Sequence, residues 1–97
     1  MIKVTRTQVR PSTSITFYSP TEEKAMYTNI NFCNTAKLSI SHTLSEDQLT
    51  KVSIWLWENQ ESLDEYSNTS LVIKNRNAEI VYHNSVGITF IETVETI

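Results

Sequence analysis

The first run of residues, IKVTRTQV from Ile2 to Val9, alternates apolar with polar positions and is rich in β-branched side chains. Alternation at a period of two puts one set of side chains on each side of an extended chain, so this run predicts a strand, stopped by Pro11. A second run, KLSISHTL from Lys37 to Leu44, places Leu38, Ile40, His42 and Leu44 on one face and Ser39, Ser41 and Thr43 on the other. Between the two, STSITFYS is too short and polar for a helix and reads as an extended connection. A helix start follows at Ser19-Pro20-Thr21-Glu22. Ser19 can accept from first-turn N–H groups, Glu22 can reach back, and proline fits the first helical position. The helix from Pro20 is expected to turn Ala25, Met26, Ile30 and Cys33 inward, and the weak helix formers in TNINFCNTA blur its end.

The stretch TKVSIWLWENQESLDEYSNT, residues 50–69, fits two patterns. As one helix it would spread Val52, Ile54, Trp55, Leu56 and Trp57 around most of a circumference, too broad a band for a surface helix. As a strand from Thr50 to Trp57 it sorts Val52, Ile54 and Leu56 onto one face, with Ser53, Trp55 and Trp57 on the other. Asn59 then suits the N-cap of QESLDEYS, whose acids favour a helix N-terminus. The prediction is strand, then helix, with Ser45-Glu46-Asp47-Gln48 as the preceding hairpin tip. The helix carries Leu63 and Tyr66, breaks at SNTS, and resumes with Leu71, Ala78, Val81 and Tyr82 at helical spacing. Gly87, the only glycine, stands where a left-handed C-cap is needed. Ile88 to Ile97 reads as a last strand. Strand, helix, strand, strand, helix, strand is the split βαβ pattern. It predicts one α+β domain over residues 1–97, ferredoxin-like βαββαβ, with sheet order 4-1-3-2 and both helices on one face.

Composition narrows the function. A chain of 97 residues has room for a single core, and 39% hydrophobic with 20% charged residues suits a globular protein. No apolar run approaches the roughly 20 residues of a bilayer span, and the N-terminus lacks the apolar middle of a signal peptide. Cys33, the single cysteine, excludes an internal disulfide, so a cytoplasmic location and no membrane partner are expected. A net charge of −3 disfavours nucleic-acid backbones, and Lys3, Thr5 and Thr7 on the first strand offer no aromatic for base stacking. No Cys or His cluster has metal-ligand spacing, and one glycine cannot build a phosphate loop. Cys33 and His42 lack a third group to orient a nucleophile and base. No catalytic residue, metal or cofactor is therefore expected.

Two groups of side chains remain. If Val52, Ile54 and Leu56 face the helices, Trp55 and Trp57 lie with Ser53 on a bare sheet face. Each indole can bury roughly 150–250 Å², and such a patch marks an interaction site. This predicts a homodimer interface at Trp55, Trp57 and Ser53. His42 falls on the inward face of its strand, where a lone histidine is commonly a hydrogen-bonded core or rim residue. His83, near a helix end, needs no role beyond favouring the dipole as a cation.

The segment WLWENQESLDEYSNTSLVI resembles the third strand and the start of the second helix in the dimeric ferredoxin-like α/β-barrel superfamily. That group includes antibiotic-biosynthesis-type monooxygenases and stress-responsive barrel proteins. The resemblance implies that two sheets pair into a barrel. It also implies a cavity between sheet and helices, with His42, Phe17, Tyr18 and Tyr82 as lining candidates. Haem-degrading members carry an asparagine on the first strand and a histidine in the second helix. Here the first strand has Gln8 and the early helix has Tyr66-Ser67, which departs from haem chemistry. The Asn- and Thr-rich composition and NSVGITF are also similar to small tailed-phage accessory proteins, which would place the chain in a host cytoplasm or virion. The function expected is a non-catalytic homodimeric accessory or scaffold module. The alternative is a small-molecule-binding or cofactor-free monooxygenase-like enzyme.

Overall fold

The computed structural model of the chain describes residues 1–18 and 37–97. The helix expected from Pro20, its Ser19 cap, and the inward positions Ala25, Met26, Ile30 and Cys33 lie outside the described residues. Among the described residues are four strands, β1 (Ile2–Val9), β2 (Lys37–Leu44), β3 (Thr50–Trp57) and β4 (Thr89–Thr96), and two helices between β3 and β4, α1 (Gln60–Ser67) and α2 (Ser70–Val86). The strands form one antiparallel sheet in the order β2-β3-β1-β4, the ferredoxin-like order predicted from the sequence.

Local chemistry explains the boundaries. The β2–β3 turn closes through the Ser45 N–H donating to the Thr50 carbonyl and the Gln48 N–H donating to Ser45, each at 2.9 Å. At the start of α1 the Asn59 side chain accepts from the Ser62 N–H at 2.8 Å, an N-cap that satisfies one orphan donor. The helix stops at Asn68, and Thr69 takes the N-cap position of α2 with its hydroxyl donating back to the Glu65 carbonyl. Gly87 ends α2 at φ 80° and donates its N–H to the His83 carbonyl at 2.9 Å. This left-handed conformation is one that glycine adopts without steric cost.

The core lies between the sheet and the two helices, and here one expectation is reversed. Register pairs Ile2 with Trp57 and Val4 with Trp55. Ile2, Val4 and Trp57 then form a buried cluster with Leu63 and Tyr66 of α1 and Val72 of α2, with Trp55 packed against it. Trp57 is 0% exposed. Its ring lies 4.8 Å from Tyr66 and 6.3 Å from Trp55. Trp55, Trp57 and Ser53 are thus on the helix-covered face and do not form a bare interface, while Val52, Ile54 and Leu56 take the opposite face. β3 is apolar on both sides, so its own pattern cannot choose between them. The choice is made by β1, whose Ile2 and Val4 sit on the same side as the indoles, where the larger rings bury more area.

The inward stripe of α2 also differs from the one expected. Val72, Asn75 and His83 are buried, whereas Ala78 is exposed and Val81 is 70% exposed. A polar contact sets this rotation: Glu79 pairs with Arg6 of β1, which turns Ile73, Ile80 and Val81 outward.

Candidate functional site

The helix-covered face of the sheet has an apolar end and a polar end. Beyond Val4 and Trp55, the next row across all four strands is His42, Ser53, Arg6 and Glu92, one residue from each strand. Directly opposed residues in an antiparallel ladder point to the same side, so these four side chains share one surface. His42 Nδ1 lies 2.7 Å from Ser53 Oγ. Ser53 is 3% exposed while His42 is exposed, so the pair joins the interior to the rim. On the other half of the row, Arg6 Nε stands 3.2 Å from Glu92 Oε2, and its terminal Nη2 donates to Glu79 Oε1. Its guanidinium also lies over the Phe90 ring, 4.8 Å from the centroid. One cation thus ties the centre of the sheet to α2 and to β4.

His83 packs beside this cluster, 5.7 Å from Phe90 between ring centroids. Burial pushes its imidazole below the usual range. Glu79 opposes that shift and Arg6 adds to it. The expectation of a dipole-stabilised cation is therefore corrected: His83 is a buried base held toward its neutral form, and its Nε2 has no hydrogen-bond partner among the described residues.

One row further along the sheet stand Leu44, Lys51, Gln8 and Phe90. The segment of residues 12–18 lies across this end. Arg10 donates to the Gln48 carbonyl at 2.8 Å and the Ile15 carbonyl at 3.0 Å. The Phe17 ring has the Arg10 guanidinium 4.6 Å from its centroid and the Lys51 ammonium at 5.7 Å. Tyr18 packs on Tyr82 at 5.8 Å and directs its hydroxyl to Asn75 Oδ1 at 3.5 Å, and Tyr82 also bonds Thr16. Of the four cavity candidates, His42 stands in the polar row and Phe17 beside the next one. Tyr18 and Tyr82 form a second contact, between the segment and α2.

Arg6, Gln8, Glu79, Glu92 and Asn75 are the site residues that sequence reasoning missed. Arg6 and Gln8 carried a usable signal, since they share the period-two parity of Ile2 and Val4. Glu79 and Glu92 gave no signal of their own, because a lone carboxylate reads as solvated surface until its partner is placed.

No protein-family model matches the chain, and no curated protein matches it by sequence. Solved structures do match. A Deinococcus radiodurans protein assigned as an antibiotic biosynthesis monooxygenase superposes with a TM-score of 0.61 at 11% identity, covering 100% of this chain and 92% of that one. SnoaB of Streptomyces nogalater, a cofactor-independent oxygenase, gives a TM-score of 0.60 at 10% identity, covering 99% and 91%. A conserved protein of unknown function from Bacteroides thetaiotaomicron gives 0.62 at 12% identity, covering 99% and 96%. The fold is that of the antibiotic biosynthesis monooxygenases. At these identities the match establishes the fold.

Finding a monooxygenase-type fold also corrects the functional expectation. A non-catalytic accessory or scaffold module was inferred from tryptophans on a bare face, and those tryptophans lie under helices. Two of these neighbours carry enzyme names, one of them a cofactor-independent oxygenase. Among the described residues, no helix is long and apolar enough to cross a membrane.

Proposed function

We propose that this protein is a small-molecule enzyme of the cofactor-independent oxygenase type, with its reaction centre at the His42–Ser53 pair on the helix-covered face of the sheet. The observation that carries the reading is the 2.7 Å contact between an exposed imidazole and a buried hydroxyl at the polar end of an otherwise apolar core. An oxygenase without a cofactor must draw its electrons from the substrate. That requires a base to remove a proton and leave an electron-rich anion. In the tautomer whose Nδ1–H donates to Ser53 Oγ, the basic lone pair of the His42 ring is on Nε2, and the imidazole is the base of this proposal. Ser53 is the positioning residue and fixes the ring. For an activated CH2 group, the balanced reaction is CH2 plus O2 giving C=O plus H2O, with all four electrons supplied by the substrate. Arg6, held by Glu79 and Glu92, keeps the far wall of the site in place. Oxygen uptake with anthrone, which has such a CH2, tests the reading. One O2 consumed per anthrone is expected, with a loss of roughly 10²–10⁴-fold in His42→Ala. Uptake no faster than the buffer background would remove the proposal.

The enzyme is further proposed to act as a homodimer through the other sheet face. That face presents Val52, Ile54, Leu56 and Ile91 among Thr5, Thr7, Thr43 and Thr93. Its two charges, Lys3 and Glu95, pair with each other at 3.7 Å. A face with no net charge, on a chain of net charge −3, can meet its own copy without like-charge repulsion. Native mass spectrometry should give twice the chain mass for the parent protein and a single chain for Ile54→Asp. A monomeric parent refutes the assembly.

A further inference from the structure

At the mouth of the site, one row beyond His42 and Ser53, two cations flank Phe17 without a carboxylate between them. Lys51 is opposite Leu44 on one side and Gln8 on the other, so its side chain leaves the same face as Ser53 and His42. Two residues along a strand span about 6.5 Å, which places the Lys51 position one small ring away from Ser53. The Lys51 ammonium contacts the Phe17 ring and forms no ion pair among the described residues. Arg10, on the other approach to Phe17, donates to the Gln48 and Ile15 carbonyls and likewise meets no carboxylate among the described residues. Arg6, by contrast, is matched by two glutamates. Among the described residues, Lys51 and Arg10 thus carry positive charge at this end of the sheet without an ion-pair partner, in a chain of net charge −3. A second group points the same way. Gln8 is 5% exposed and lies beside Lys51, and its Oε1 has no hydrogen-bond partner among the described residues. A buried polar atom left unmatched is costly, and a ligand donor is one way to satisfy it.

We infer that Lys51 is the specificity-determining residue of the site and that the substrate is an apolar acid whose carboxylate sits at Lys51. The Gln8 carbonyl takes a hydroxyl donor on the same ligand. The inference rests on the proposed small-molecule reading of the site and adds the charge class of the substrate. It follows from electrostatics: a charge-assisted hydrogen bond at a partly desolvated ammonium is stronger than a neutral one. The His42 end, lined by the over-neutralised Arg6 cluster, offers no such anchor.

Calorimetric titration with 2-naphthoate and with its neutral isostere 2-naphthamide tests this on the intact protein. The parent should bind the carboxylate about tenfold more tightly than the amide. Rising salt should shrink that ratio, because exposed charge pairs are screened. Lys51→Met should bring it close to one, and Lys51→Arg should retain most of it. The salt series on the parent decides the matter even if Lys51→Met folds poorly. Equal binding of the two probes, or a preference that survives both salt and Lys51→Met, overturns the inference while leaving the enzyme reading in place. Failure of both probes to bind removes the inference and the pocket together.

Discussion

Replacing Trp57 with alanine separates the observed arrangement of the sheet from its mirror reading. In the structure this side chain is 0% exposed, between Ile2 on β1 and Tyr66 on α1. Full burial of an indole removes up to about 250 Å² from water, worth about 6 kcal/mol at 25 cal/mol per Å². Residual burial in the unfolded chain lowers that to about 4 kcal/mol, within the 3–5 kcal/mol range for large core aromatics. Against a total stability of 5–15 kcal/mol for a domain, the loss is severe. With a urea slope of about 1.5 kcal/mol per molar, the unfolding midpoint should fall by about 2–3 M. Equilibrium unfolding followed by far-ultraviolet circular dichroism at several protein concentrations measures it. Trp55→Ala should cost less, since Trp55 is only partly buried. If Trp57→Ala loses under 1 kcal/mol and instead halves the native mass, the indoles are at an interface and the placement argued from register is wrong.

Two further outcomes follow from single residues. His83 is held toward its neutral form, so near pH 6.5 the unfolded chain takes up a proton more readily than the folded one. Its contribution to stability is present above that pH and lost as the pH falls. Unfolding free energies of the parent measured between pH 7.5 and 5.5 should therefore fall more steeply than those of His83→Gln, and parallel slopes would exclude the effect. Gly87 adopts φ 80°, while a Cβ there would meet only Pro11 Cγ at 3.8 Å. Gly87→Ala should accordingly cost about 1 kcal/mol through backbone strain alone, read as a thermal shift without a change in native mass.

The strand order, the β2–β3 hairpin, the Asn59 cap and the Gly87 stop were all legible in the sequence, because each rests on local chemistry. Period-two alternation, a capping side chain and a left-handed glycine need no knowledge of distant residues. The face of β3 was not legible by such means. Val52, Ile54 and Leu56 are as apolar as Trp55 and Trp57, so only the register with Ile2 and Val4 separates them. The inward stripe of α2 was misread for a related reason. Apolar spacing pointed to Leu71, Ala78 and Val81, but the Arg6–Glu79 pair, 73 residues apart, fixed the rotation of the helix. His42 was placed on the correct face from its own strand, whereas its partner Ser53 was placed on the wrong one. The candidate site was thus half visible: its strand positions could be listed, but their convergence depended on pairings that no local pattern encodes.

The aromatic cluster gives the protein a built-in optical reporter. Trp55, Trp57 and Tyr66 lie within 6.3 Å of one another, close enough for tyrosine excitation to pass to the indoles. Trp57 emits from a dry interior, while the half-covered Trp55 is two residues from Ser53 on the same face of β3. Emission should therefore divide into a short-wavelength part that follows the integrity of the core and a longer-wavelength part that follows events at the neighbouring polar row. Light from the folded chain can then register occupancy of the site without any added dye.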